Sequence, residues 1–142
     1  MTTIAYKDGI IAYDSRVTAN GAIIYDDFEK RRERGGVSFF GTGSTGDIDE
    51  LVSIYSGGEL AGECDATALV VQNGQLLLIG YSDGKVWKSP VRADRPYAIG
   101  SGVDHAYTAM DMGASAYQAV EMAMKRDTGT GGQIRTFTIT AE

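Results

Sequence analysis

MTTIAYKDGIIAYDSR (residues 1–16) opens the chain, and its reading governs everything after it. Thr3 to Tyr6 and Ile10 to Tyr13 are short apolar runs joined by Lys7-Asp8-Gly9. Asp-Gly between such runs signals a hairpin, because glycine accepts the positive φ of a tight turn. The pattern predicts two antiparallel strands, with Thr2 in front of the first and Asp14 just past the second.

Working outward, the same punctuation recurs. Asn20-Gly21 separates Arg16 to Thr18 from Ala22 to Tyr25, and Asn73-Gly74 separates Thr67 to Val71 from Leu76 to Tyr81. Asp83-Gly84 then precedes the strand Lys85 to Lys88. Val37 to Phe40 is a further strand, running into the glycine-rich segment Gly41 to Gly46. A helix is expected from near Asp47, since Ile48, Leu51, Val52 and Tyr55 fall at i, i+3, i+4 and i+7, the spacing of one buried face; Gly57-Gly58 ends it. Tyr97 to Ile99 leads into Gly100-Ser101-Gly102 and a helix over Val103 to Met112, broken at Gly113.

Ser115 to Gln118 has the form of a capping box for a last helix, with Ala119, Val120, Ala123 and Met124 on one side and Lys125 and Arg126 at its negative end. Ile134 to Ile139 alternates like a half-buried strand. Strands, one helix, strands, two helices and a strand form segregated runs, which points to an α+β fold rather than repeated βαβ units.

At 142 residues and 43% hydrophobic content the chain is expected to form one domain, residues 1–142. Nineteen acidic against thirteen basic side chains give a net charge of −6, so the chain lacks the basic footprint of a nucleic-acid binder and disfavours anionic membranes. No apolar run reaches bilayer length, and the N-terminus has neither the charged start nor the apolar stretch of a signal peptide, so a cytoplasmic protein is expected. A single Cys64 excludes an internal disulfide, and with a single His105 it leaves a His/Cys zinc site short of ligands. Gly41 to Gly46 lacks both the Gly-Lys-Ser/Thr ending and the Rossmann spacing, so neither cofactor nor metal is expected. Ser101 in Gly-Ser-Gly is not a nucleophile elbow, and His105 is only four residues on, so a serine triad is disfavoured.

Taken together, the opening hairpin, Ala12-Tyr13-Asp14-Ser15-Arg16, a second hairpin and Glu29-Lys30-Arg31 resemble the proteasome β-subunits and the bacterial HslV peptidase. In that family a mature N-terminal threonine is followed by an aspartate and then by a lysine, and the sixteen residues from Asp14 to Lys30 are the family spacing. The resemblance continues through Gly43-Ser-Thr-Gly-Asp47 and Ile99-Gly-Ser101-Gly102, and ends at Arg126-Asp127-Thr-Gly-Thr130-Gly131-Gly132. It implies a four-layer αββα sandwich of two antiparallel sheets flanked by helices, the N-terminal-nucleophile hydrolase fold. Between Asp47 and Ala66 there is room for one short helix where the family usually carries two.

The resemblance also assigns roles. Thr2, exposed once Met1 is removed, is the nucleophile; methionine before a small residue is the usual substrate of methionine aminopeptidase. A threonine hydroxyl needs a base within reach, and a free α-amine with pKa near 8 on the same residue can serve. Lys30 lowers the pKa of the hydroxyl or relays its proton, and Asp14 keeps that lysine charged and oriented. The amide of Gly43 faces the oxyanion, although Gly41 competes for that role because the alignment runs one residue short. Ser101 and Asp127 tune the terminal amine, with Thr130 where the family often has serine.

Val17, Phe28, Gly41 and Asp49 are implied to lie near the first specificity pocket, where Asp49 favours basic side chains. The resemblance implies a threonine peptidase acting on peptides or unfolded proteins within a self-compartmentalising homo-oligomer, with an ATPase unfoldase as the partner that feeds it. Two alternatives stand beside it: an amidase of the same nucleophile class acting on a small amide, and a non-catalytic assembly subunit.

Overall fold

The computed structural model describes residues 2–59 and 63–140. In chain order the elements are β1 (Thr3–Lys7), β2 (Ile10–Tyr13), β3 (Val17–Ala19), β4 (Ala22–Tyr25), β5 (Arg31–Arg34), β6 (Val37–Gly43), α1 (Thr45–Tyr55), β7 (Ala66–Gln72), β8 (Gln75–Ser82), β9 (Lys85–Pro90), β10 (Tyr97–Gly100), α2 (Val103–Asp111), α3 (Ala116–Arg126) and β11 (Arg135–Thr138). They group into two compact units, one from Met1–Lys30 with Ala93–Thr140 and the other from Arg31–Arg92.

The first unit is built on the sheet β10-β1-β2-β11, antiparallel throughout. Its central hairpin turns at Asp8 (φ 52°) and Gly9 (φ 82°), the doubly positive pair that matches strand twist. Alternation along the strands sends Ala5, Ala12 and Ala98 to one face, where they form a core with Ala106 and Met110 of α2 and Ala116, Ala119 and Val120 of α3. Alanine on the sheet and on both helices lets the layers approach closely. Ile4, Tyr6, Ile11 and Tyr13 take the opposite face and are buried as well.

Two local devices fix the helices. Ser115 Oγ accepts the Gln118 amide at 3.1 Å while the Gln118 side chain accepts the Ser115 amide at 3.0 Å, closing the capping box of α3. Lys7 Nζ donates to the Ala114 carbonyl at 2.8 Å and to the Met110 carbonyl at 3.3 Å, where the unsatisfied end of α2 favours a cation. Gly102, just ahead of α2, is pressed against β1 and α3: a Cβ there would lie 2.1 Å from Thr3 Oγ1 and 2.9 Å from Ala123 Cβ. Neither neighbour is the end of a flexible chain. Gly102→Ala is therefore expected to cost about 1–3 kcal/mol, read as a lower urea midpoint with an unchanged slope.

The second unit is a five-stranded antiparallel sheet, β5-β6-β7-β8-β9, with α1 on one face. Phe39, Ala66, Ala68, Val70 and Ile79 meet Ile48, Leu51 and Val52 there. Gly41 lies buried beneath Ile48, whose Cγ2 is 2.7 Å from where a Cβ on Gly41 would sit, so the bare backbone is what admits the helix. On β8 and β9, Gly80 pairs with Trp87, whose ring covers it.

These are the antiparallel sheets and segregated helices of an α+β fold. The differences from expectation are at element ends. The helix begins at Thr45 rather than near Asp47, because Ser44 Oγ accepts the Asp47 amide at 3.1 Å and so caps it two residues earlier. The charged run after Lys30, which reads as a strand or a loop, is strand β5, paired antiparallel with β6. Among the described residues one helix, α1, lies between β6 and β7. No described helix is long and apolar enough to cross a membrane.

Candidate active site

Strand register assembles the first unit's polar cluster. Ile4 pairs with Tyr13, and the ladder is extended by the Asp14 amide donating to the Thr3 carbonyl, so the residue before β1 and the residue after β2 become neighbours. Thr2 Oγ1 donates to Asp14 Oδ1 at 2.5 Å, and Lys30 Nζ donates to Thr2 Oγ1 at 2.6 Å and to Asp14 Oδ1 at 2.8 Å. All three are buried, Asp14 at 0%, Thr2 at 3% and Lys30 at 8% exposure.

Asp14 is further held by backbone amides: Thr3 to Oδ1 at 3.2 Å, and Gly131 and Arg16 to Oδ2 at 3.0 and 3.4 Å. Both oxygens of a fully buried carboxylate are thereby satisfied. Burial pushes the Lys30 ammonium below the ordinary lysine range, with Asp14 pulling the other way. A lysine so poised can hold positive charge against the hydroxyl or exchange a proton with it.

A second group of hydroxyls stands beside this one. The Ser101 amide donates to the Thr2 carbonyl at 2.7 Å, and its Oγ lies 3.2 Å from the same carbonyl and 2.5 Å from Asp127 Oδ2. A hydroxyl has one proton, and the carboxylate is the nearer and stronger acceptor. Thr130 Oγ1 also donates to Asp127 Oδ2, at 2.6 Å, and the Gly129 amide to Oδ1 at 3.2 Å. Burial raises the Asp127 pKa, but the Ser101 and Thr130 hydroxyls outweigh it, and the carboxyl sits below its ordinary value. Asp127 therefore stays ionised as pH falls past the point where a free aspartate would protonate.

Of the residues singled out in the sequence, Thr2, Asp14, Lys30, Ser101 and Asp127 thus gather in one unit. Val17 and Phe28 lie in the same unit, on the path from Asp14 to Lys30. Val17 pairs with Tyr25, and Phe28 stacks on the Tyr25 ring at 6.1 Å between centroids. Gly41, Gly43 and Asp49 belong to the other unit. There Gly41 is buried under Ile48, and Gly43 is exposed at the end of β6 with φ 132°, a conformation that L side chains rarely adopt. Asp49 is exposed and paired with Arg32 at 2.8 Å. Met1 lies outside the described residues.

Two participants carried no signal of their own in the sequence. Thr3 reads as a strand-forming residue, yet its hydroxyl reaches Thr130 Oγ1 at 2.7 Å. The Gly131 amide serves Asp14 across 117 positions of chain.

No family model and no curated protein matches the sequence. Solved structures do resemble the fold. Thiobacillus denitrificans BPH superposes with a TM-score of 0.68 at 18% identity, covering 99% of each chain. The same protein in complex with epoxomicin gives 0.67 at 18%, covering 98% of each. Eukaryotic HslV from Trypanosoma brucei gives 0.67 at 19%, covering 96% of this chain and 97% of that one. Coverage of nearly the whole of both chains, with the order of strands and helices described above, means that this chain has the N-terminal-nucleophile hydrolase fold of the proteasome-type HslV and BPH structures.

Proposed function

We propose that residues 1–142 form one catalytic domain, a threonine peptidase in which Thr2, freed by loss of Met1, attacks peptide bonds. The observation that carries this reading is the buried triangle of Thr2 Oγ1, Lys30 Nζ and Asp14 Oδ1, with sides of 2.5, 2.6 and 2.8 Å. Burying a lysine and an aspartate costs free energy that a packed apolar pair would not, and here both are directed at one hydroxyl next to the chain start.

In the proposed reaction the Thr2 hydroxyl proton passes to the free α-amine, or to Lys30 in its neutral form, as Oγ1 attacks the scissile carbonyl carbon. The oxyanion is met by a backbone amide, assigned by the family resemblance to Gly43. The C–N bond breaks, the leaving amine takes the proton, and an ester to Thr2 remains. Water, deprotonated by the same base, hydrolyses the ester and restores the hydroxyl. Ser101 and Asp127 hold the Thr2 carbonyl and set the electrostatics around the amine.

Val17, Phe28, Gly41 and Asp49 are assigned to the first specificity pocket by resemblance. The pairing of Asp49 with Arg32 leaves little uncompensated charge to favour basic side chains there. By the family resemblance in the sequence, the working form is read as a cytoplasmic homo-oligomer that takes peptides or unfolded protein, with an ATPase unfoldase as the partner supplying it.

Epoxomicin tests the reading. Protein whose intact mass lacks Met1 is expected to gain one inhibitor mass, mapped to the peptide beginning at Thr2, while protein retaining Met1 gains none. Processed protein that takes up no label would overturn the assignment. Turnover of small amides without peptide cleavage would instead favour the amidase.

A further inference from the structure

The geometry points to Thr3 as a positioning residue for the catalytic group: its buried hydroxyl starts a one-way chain of hydrogen bonds, through Thr130, that anchors the Asp127 carboxylate beside Ser101 and the Thr2 carbonyl. This rests on the peptidase reading above.

Thr3 shares the face of Ala5 on β1, turned toward Gly102 and α3, so its side chain does not touch substrate. Thr3 is 0% exposed and Thr130 1%, which keeps bulk solvent from either hydroxyl. Their oxygens are 2.7 Å apart, and distance alone leaves the donor open. The next link decides it. Thr130 has one proton and spends it on Asp127 Oδ2 at 2.6 Å, so Thr3 must donate to Thr130. Ser101 Oγ closes on the same Oδ2 from the other side at 2.5 Å, and the Ser101 amide grips the Thr2 carbonyl at 2.7 Å.

A hydroxyl that accepts a hydrogen bond becomes a better donor, so the Thr3 proton strengthens the bond from Thr130 to the carboxylate. The chain thus returns from the residue after the nucleophile to the residue that clamps it. Among the described side chains Lys30 and His105 also act on Asp127, joined by the Thr2 amine once Met1 is removed, and none of them replaces an oriented hydroxyl.

Thr3→Val keeps the shape and removes the donor. Its kcat is expected to fall roughly five- to tenfold, the size of one neutral hydrogen bond, with KM within twofold of wild type. Thr3→Ser is expected to restore kcat. The Asp127 carboxyl, followed by carbon-13 NMR, is expected to titrate higher in Thr3→Val by up to about one unit, the equivalent of that tenfold factor. Unchanged Asp127 titration overturns the inference, and so does unchanged kcat, or a loss of kcat that Thr3→Ser fails to repair. An inactive wild-type protein sinks the peptidase reading instead, and the Asp127 titration still judges the hydroxyl chain on its own.

Discussion

Thr2→Ala, with Met1 removed ahead of the alanine, is expected to hydrolyse peptides at least about a thousandfold more slowly than wild type, because a single nucleophile has no substitute in covalent catalysis. The fold should survive. Deleting the hydroxyl leaves Lys30 and Asp14 still joined at 2.8 Å, and the Asp14 oxygens retain the amides of Thr3, Arg16 and Gly131. The expected stability loss is about 1 kcal/mol, one buried hydrogen-bonding group. Thr2→Ser should stay within reach of wild type, since serine keeps both hydroxyl and amine. Equal peptide turnover by Thr2→Ala and wild type would remove the mechanism and leave the assembly subunit as the better account of the fold.

Lys30 and Asp14 give the second large effect, and it is one of stability as well as rate. Lys30→Met strands an aspartate of 0% exposure without its counter-charge, a loss of about 3–5 kcal/mol. Asp14→Asn strands the lysine instead, and a buried ammonium without its partner discharges rather than persists. Combining the two changes removes both charges from a site that amides already line. The double variant is expected to recover most of the lost stability, with a coupling of several kcal/mol between the positions. It should recover little peptidase activity, because the α-amine is then left as base for a hydroxyl that no ammonium polarises. Thermal melts of the single and double variants, set beside their turnover, measure both. A double variant as unstable as Lys30→Met would show that the pair is not coupled, and one that cleaves peptides would deny it a catalytic part.

Where elements depart from the bare sequence pattern, the cause is local. α1 starts at Thr45 because Ser44, in a run that otherwise reads as a glycine-rich loop, supplies the cap. Arg31 to Arg34 reads by itself as a solvated charged strand or loop, and pairing with the apolar strand β6 makes it β5. In both places a neighbouring residue or strand decided what composition left open.

What the sequence determined by itself was whatever depends on a few adjacent residues. Asp-Gly and Asn-Gly turns set the hairpins, helical spacing set the buried faces of α1 and α3, and the hairpin at residues 1–16 brings Thr2 beside Asp14 through twelve residues of chain. The family resemblance added Lys30, Ser101 and Asp127 as names and roles, without distances. Only the tertiary structure decided that Lys30 is buried on the Thr2 hydroxyl, that Gly131 feeds Asp14, and that Thr3 meets Thr130 across 127 positions. Turn chemistry is written in short-range sterics, which the chain carries wherever it goes. A hydrogen bond between distant hydroxyls exists only after strand register and helix packing have brought them together, and no run of residues encodes it alone.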